Sequence, residues 1–378
     1  MNHLPHSVRL PRPARRRVLA CGAFLKNRAC LLDGHQAHWS ALHGDLRNPQ
    51  SRLALTQSID ELLERASGPL QAIAHDLHPG FFSTQIAIEL GQRLDAPAIG
   101  IQHHQAHIGT VLAEQGINEP VIGVALDGMG WGTDATAWGG EVLFLDDAAH
   151  AHTCQRVAHL ATLAQPGGDA AAREPWRLAA AVLYGAGRGD EIAPRFASAV
   201  GADAARTVYA MLQRGVNCPH SSSAGRWFDA AAGALGICLR QSHEAEAAMA
   251  LEHVATHWLS THPDYAFDWR SLDLHPVVAG LFTRQGQGAE ALGEGAAQFH
   301  LALAAGLAHC ATEVALQRGI RKVVLSGGCF ANRVLRQTLR RHLERADVEV
   351  IEPQWMGCGD EGLALGQAWL AACTDLED

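Results

Sequence analysis

Val323-Val324-Leu325-Ser326-Gly327-Gly328-Cys329-Phe330-Ala331-Asn332-Arg333 runs from an apolar, β-branched stretch through two glycines into a polar segment. That order reads as a strand, a tight turn and a helix start, the unit from which α/β folds are built. The same texture surrounds it, with a helix expected from about 288 to 318, a strand at 323–325, a helix at 332–345, a strand at 348–351 and a helix at 361–372. Earlier, expected strands at 18–24, 29–33, 72–75, 99–102, 121–126 and 141–145 alternate with helices at 58–66, 83–94 and 103–115. Between these two regions the chain is alanine-rich and helical, with candidates at 173–183, 202–214, 224–235 and 244–259. The expectation is an α/β fold of two lobes with a helical insertion: a flexible basic arm at 1–17, a first lobe at 18–150, the insertion at 151–285 and a second lobe at 286–378. Ligands of such folds sit at the carboxyl ends of the strands.

Composition narrows the partners. The 378 residues carry 30 Lys and Arg against 39 Asp and Glu, a net charge of −9, so no global basic field is present to hold a nucleic-acid backbone. No nucleic acid is expected. Nine cysteines, an odd number with no C-x-x-C pair, argue against a disulfide framework and a cysteine zinc site and for a reducing cytoplasm. Arg15-Arg16-Arg17 precedes an apolar run that Lys26 and Arg28 cut at eight residues, too short for a leader, and a first strand is the better reading. The stretch 300–316 contains His300, His309 and Glu313 and reads as too polar to span a membrane.

Four constellations can carry chemistry. In Gln102-His103-His104-Gln105-Ala106-His107, a helix places His103 and His107 on one face, where they can share a metal ion, with His104 about 100° round. Asp127, at the end of an apolar strand, can complete the set, although ordinary helix histidines are the plain alternative. Asp127-Gly128-Met129-Gly130-Trp131-Gly132 lets backbone N–H groups approach an anion, but it fits neither a P-loop nor an EF-hand, and a glycine-rich hairpin explains it equally well. The turn at 327–333 offers the N–H groups of a helix start to a nucleotide, with Asn332 either contacting it or serving only as an N-cap, and with Cys329 read as a packed residue. In Gly357-Cys358-Gly359-Asp360-Glu361-Gly362, Asp360 can cap the next helix or aim a carboxylate at the metal; on pattern alone the cap is the stronger reading. Two further segments, 166–177 and 221–229, mix charge, glycine and tryptophan without spelling a reaction.

Taken in order, Ala74-His75-Asp76-Leu77-His78-Pro79, the histidine cluster, the glycine loop after Asp127, Trp138-Gly139-Gly140-Glu141, Arg173-Glu174-Pro175-Trp176-Arg177, 222–229 and 327–333 resemble the C-terminal half of HypF, the carbamoyltransferase family of NiFe-hydrogenase maturation. The resemblance covers about residues 18–372 and implies the two-lobed fold of actin-like ATPases and sugar kinases. It also implies a divalent metal, iron or zinc, on His103, His107, Asp127 and Asp360, which reverses the cap reading of Asp360. Carbamoyl adenylate, with ATP or AMP as the related nucleotides, would lie against Asp127, Gly128, Met129, Gly130, Trp131, Asp229, Gly327, Gly328 and Asn332, with Asp229 at the ribose. Lys26 becomes a phosphate or carbamoyl contact. Arg173, Arg177 and Arg226 become anchors for the carbamoyl oxygen or an acceptor carboxylate. The implied acceptor is the C-terminal cysteine thiolate of a HypE-like partner, on the way to the cyanide ligands.

Two departures from the family stand out. Its Tyr-Glu-Gly-Gln-Ala-Ala-Met reads His243-Glu244-Ala245-Glu246-Ala247-Ala248-Met249, so Ala245 replaces a glycine and Glu246 a glutamine. The acylphosphatase-like, zinc-finger and YrdC-like parts of HypF are not seen, and a separate YrdC-like adenylating protein is the expected donor source. Two other readings stay open: an O-carbamoyltransferase acting on a small molecule, and a non-catalytic nucleotide-binding subunit that docks a partner.

Overall fold

The structure, a computed structural model, describes residues 7–146 and 154–374. Its first strands are β1 (Ser7–Arg9), β2 (Val18–Ala20), β3 (Cys30–Asp33) and β4 (Gln36–Trp39), followed by α1 (Pro49–Arg65), β5 (Ala72–Asp76), α2 (Phe82–Leu94) and β6 (Ala98–Ile101). These strands form one six-stranded sheet in the order β1-β4-β3-β2-β5-β6, antiparallel as far as β2 and parallel from β2 to β6. Helix α3 (His103–Gln115) then leads to β7 (Val121–Trp131), β8 (Ala137–Leu145), β9 (Cys154–His159) and β10 (Leu163–Ala164).

The helical region comprises α4 (Asp169–Arg173), α5 (Pro175–Gly185), α6 (Ile192–Val200), α7 (Ala202–Arg214), the short β11 (His220–Ser221), α8 (Ala224–Leu235), α9 (Glu246–Thr261), α10 (His275–Leu281) and α11 (Ala289–Arg318). The chain ends with β12 (Lys322–Ser326), α12 (Arg333–Arg345), β13 (Glu349–Ile351) and α13 (Leu363–Cys373). The second sheet runs β10-β11-β8-β7-β12-β13, with β9 also on β8. The architecture is the expected two-lobed α/β fold with a helical region.

The lobes divide elsewhere than expected. Strands β7 and β8, placed in the first lobe by sequence, belong to the second sheet, where β12 pairs parallel with β7 from Val323 opposite Ile122 to Ser326 opposite Ala125. Helix α13, placed in the second lobe, packs on α3 and on β2, β3 and β5 of the first sheet. Local periodicity marks a buried strand but not its partner, and these partners are separated by the whole helical region. The expected boundary at 150 itself lies outside the described residues, as do residues 1–6 of the arm. The described part of that arm is not loose: β1 pairs with β4, and Leu10 is buried while Arg12 and Arg15 stay at the surface. Arg17 joins Asp33, Nε to Oδ2, at 3.0 Å. Helix α11 also corrects an expectation, since by length and composition it is apolar enough to cross a membrane. Here 67% of its most apolar stretch is buried in the protein, against α8, α9 and α12.

One crossing positions everything that follows. A Cβ on Gly366 would stand 1.8 Å from the carbonyl oxygen of Ala106, so α3 and α13 meet at backbone contact where only glycine fits. The apolar residues of this helix pair form a shared core between the two sheets, distinct from the cluster under α1 and α2 and from the cluster under the helical region.

Candidate metal centre and nucleotide cleft

Strand β6 runs directly into α3 through Gln102, whose side-chain oxygen accepts the N–H groups of His104 and Gln105 at 2.7 and 3.0 Å. Its Nε2 donates to the carbonyl of Trp131 at 3.0 Å, tying the helix start to the glycine-rich segment. This cap aims His103 and His107 together at Asp127, their Nε2 atoms 3.1 and 3.2 Å from its Oδ2. Asp127 stands where the β7–β8 register shifts between Leu126 and Gly130, a bulge that turns its carboxylate out of the ladder. Asp360 lies in a short turn before α13 and makes no cap bond; its Oδ1 is 3.6 Å from His103 and 3.5 Å from His107. Ligand atoms of the four residues all lie within 4.8 Å of one another.

The electrostatics match a cation site. Burial acts against charge on His103, but Asp127, Asp360 and Asp76 outweigh it and hold the imidazole well above its ordinary value. The same contest, with Asp127 and Asp360 prevailing over burial, raises His107. Burial pushes the Asp127 carboxyl up, and the two histidines outweigh it and bring it well below the usual range. Asp360 is also lowered, the histidines overcoming burial and the neighbouring Asp127 charge. Positive charge is thus favoured on the two imidazoles beside two carboxylates, and a divalent cation would supply charge of the same sign in the same place. Two imidazole nitrogens and two carboxylate oxygens suit zinc or ferrous iron. His104 points elsewhere: its Nδ1 meets Gln102 Nε2 at 3.0 Å, and burial, with His103 next to it, pushes it down to about 4.

Asp76 is the residue that the sequence reading missed as a functional group. Its Oδ2 accepts the Nδ1–H of His103 at 2.8 Å, and its Oδ1 accepts the His78 N–H at 3.0 Å. With Nδ1 committed in this way, His103 presents Nε2 to the centre. The available signal was a carboxylate at the carboxyl end of a strand beside the one that enters the histidine helix.

Around these four residues the second lobe places glycine-rich backbone and a set of charged side chains. Gly327 has φ +104°, and a Cβ there would lie 2.3 Å from the Leu126 carbonyl oxygen, so the Gly327-Gly328 turn can rest on the end of β7 only as glycine. The glycine-rich segment after Asp127, expected as a loop between strands, continues β7 past the bulge to Trp131: Gly128 N–H donates to Asp127 Oδ1 at 2.7 Å, Met129 is exposed, and Trp131 meets His78 edge-on at 4.9 Å. Ser223, in a segment singled out in sequence but given no role there, donates to the carbonyls of Asp127 and Gly128 at 3.0 and 2.6 Å and ties the bulge of β7 to the start of α8. On α8, Asp229 pairs with Arg226 at 2.7 Å and accepts from Gln241 at 3.0 Å; burial raises its carboxyl to about 6. Lys26, with φ +50°, reaches Glu244 at 3.1 Å. Burial acts against its charge, but Glu244 outweighs it, with Asp360 and Asp127 adding to the field.

Other sequence candidates stand apart. Asn332 caps α12, its oxygen accepting the Leu335 N–H at 2.9 Å while its amide nitrogen meets His300 Nε2 at 2.9 Å, so both ends of the amide are engaged inside the protein. Arg173 and Arg177 line a separate cavity of about 240 Å³ with Glu174, Arg240 and Gln241, and Arg177 is paired with Glu174. Gln241 links that cavity to Asp229.

Residues 123–367 match the family model described as carbamoyltransferase, Kae1-like domain, second subdomain, and residues 13–114 match the HypF Kae1-like domain. The chain belongs to the HypF carbamoyltransferase family. The junction between the two HypF matches falls after α3, where the first sheet gives way to the second. A carbamoyltransferase HypF homolog of Cupriavidus necator is 51% identical over 364 residues, covering 94% of this chain and 91% of that protein. Carbamoyltransferase HypF2 of the same organism is 41% identical, over 98% of this chain and 48% of its own length, and HypF of Rhizobium leguminosarum is 38% identical over 93% and 44%. The crystal structure of full-length HypF in a phosphate- and nucleotide-bound form superposes with a TM-score of 0.84 at 30% identity, covering 97% of this chain and 56% of that one. HypF of T. kodakarensis gives a TM-score of 0.88 at 29% identity, over 98% and 49%. The chain therefore spans nearly all of one HypF relative and about half of the others.

Proposed function

We propose that this chain is a carbamoyl-transfer module that holds carbamoyl adenylate beside a divalent iron or zinc ion and passes the carbamoyl group to the C-terminal cysteine thiolate of a HypE-like protein in hydrogenase maturation. The observation that carries this reading is the convergence of His103, His107, Asp127 and Asp360 beside the bulged, glycine-rich end of β7 and the Gly327-Gly328 turn after β12. A metal ion bound there supplies positive charge that makes the adenylate phosphate a better leaving group. The Gly327-Gly328 turn comes close to the same place, since a Cβ on Gly328 would lie 3.0 Å from Asp127 Oδ1. Lys26, loosely held by the half-exposed Glu244, is free to turn to the phosphate, and Asp229 with Arg226 and Gln241 forms a fixed polar group for the ribose.

In the transfer, the acceptor sulfur forms a bond to the carbamoyl carbon and the bond from that carbon to the phosphate oxygen breaks, releasing AMP. The acceptor proton leaves before attack, as the thiol ionises. The chain's own cysteines near the site are poor candidates for this role: burial, with Asp127 adding to it, drives Cys329 well above the ordinary thiol range, and burial with Glu361 brings Cys358 to about 11. Support for nucleotide binding also comes from the HypF relative crystallised with phosphate and nucleotide.

The test is incubation of the metal-loaded chain with synthetic carbamoyl adenylate and a HypE-like protein, read by intact mass. A carbamoyl adduct on the partner's terminal cysteine is expected. Carbamoylation of small alcohols with none of the partner would favour O-carbamoyl transfer, and partner binding with no transfer would favour a docking subunit.

A further inference from the structure

Helix α3 carries the two histidine ligands in its first turns and Glu114 near its last. The step from 103 to 114 is about three helical turns, so Glu114 shares a face with His103 some 16 Å farther along the axis, by ~1.5 Å of rise per residue. Glu114 is 4% exposed, and among the described residues no cation pairs with it. Its carboxylate instead accepts three consecutive backbone N–H groups, Oε2 from Gln354 at 2.8 Å and Oε1 from Trp355 and Met356 at 2.7 Å each. Beside it, Gln115 Nε2 donates to the Glu352 carbonyl at 2.7 Å, and nearer the middle of the helix Thr110 Oγ1 donates to the Gly362 carbonyl at 3.0 Å.

Helix α3 therefore grips the returning chain at 352–356 and again at 362. Between the grips stand Gly357, Cys358, Gly359, Asp360 and Glu361, with one further tether, the Cys358 carbonyl accepting the Gly327 N–H at 3.0 Å. Two glycines in so short a span leave it with little conformational preference of its own, so the place of Asp360 depends on that tether and on where the ends of the span are held. The downstream end is fixed by Thr110 and by the Gly366 crossing, and the upstream end chiefly by Glu114.

We propose that Glu114 is a positioning residue for the metal ligand Asp360, a buried carboxylate at the far end of the histidine helix that sets the loop delivering the fourth ligand. The proposal rests on the four-ligand reading of the centre. A carboxylate suits the task because it only accepts hydrogen bonds; an amide at 114 would turn N–H toward at least one of the three donors, and the loop would have to move to relieve it.

The experiment uses Co²⁺ as the probe, with affinity from chelator competition and coordination from the visible spectrum of the bound ion. Glu114→Gln is expected to weaken Co²⁺ binding by about 10- to 100-fold, the range for losing an outer-shell support, and to shift the spectrum toward that of Asp360→Asn. In an Asp360→Asn background the same change should add less than about threefold, because the ligand it positions is already lost. An equal loss in both backgrounds, or unaltered affinity and spectrum in Glu114→Gln, overturns the proposal and leaves Glu114 a residue that merely holds the fold. Should Glu114→Gln fail to fold, Glu114→Asp, which keeps the charge but shortens the reach, carries the same comparison. A wild-type chain that binds no Co²⁺ would instead overturn the four-ligand centre itself.

Discussion

Asp76 and His103 share a hydrogen bond of 2.8 Å although one ends a strand of the first sheet and the other opens the helix that leaves it. The bond fixes which nitrogen of His103 faces the other ligands, and its negative charge makes that nitrogen a stronger donor to a cation. Asp76→Asn keeps the shape and removes the charge. Zinc affinity measured by chelator competition is expected to fall about 10- to 100-fold with little change in fold. Unchanged affinity would mean that the ring is oriented by packing alone.

The neighbouring histidines should separate cleanly. His103→Ala and His107→Ala each remove one of the four proposed ligands and are expected to lose most bound metal, whereas His104→Ala should keep it, because His104 faces Gln102 and Trp138 rather than the centre. His104→Ala should nonetheless cost stability, since the ring is completely buried. Elemental analysis of the three purified variants is decisive: equal metal content in all of them would sink the ligand assignment.

Protons compete for the same place. In the metal-free protein the carboxylates facing His103 and His107 raise both above the ordinary histidine value, so a cation competes with protons for their nitrogens. Metal affinity should therefore keep rising with pH beyond about 6.5. The sign for stability is the reverse: raised histidines stabilise the metal-free fold below about pH 6.5, and that contribution is lost as pH rises through their folded-state values. Asp127, held low, contributes above about pH 4 and loses its contribution as pH falls through its folded value. Chelator-treated protein should lose melting temperature on the alkaline side while zinc-loaded protein does not; parallel profiles would show that the two histidines do not titrate.

Much of this site was legible because its chemistry is local in sequence. The i, i+4 histidine pair, the carboxylate ending an apolar strand and the glycine turns each carry their own signal, and the strand–turn–helix order at 323–333 told of an α/β fold. What was hidden depends on long-range pairing. Nothing near Val323 indicates that it lies beside Ile122, which is why β7 and β8 were assigned to the wrong lobe. Asp360 reads locally as a cap and joins the His103, His107 and Asp127 cluster only because Gly366 lets α13 touch α3. Asn332 shows the opposite case, in which the plain reading of an N-cap is what its side-chain oxygen does.

Ala245 provides the last prediction. The resemblance implies a glycine where this chain has alanine, and the structure shows φ +62° there, at the residue before α9. A left-handed conformation brings Cβ against the carbonyl and costs an L-residue about 1 kcal/mol or more, whereas glycine adopts it freely. The unfolded chain of a glycine variant gains freedom, which offsets part of the relief. Ala245→Gly should therefore stabilise the protein by about 0.5–1 kcal/mol in denaturant titrations. The residue also follows Glu244, the partner of Lys26, so strain here bears on where the Lys26 ammonium is held. If the backbone at 245 approaches the nucleotide, the same variant should tighten AMP binding several-fold by calorimetry; if it bears only on the helix start, stability should rise and AMP affinity stay put. A variant less stable than the parent would show that the backbone at 245 is not held in the left-handed region.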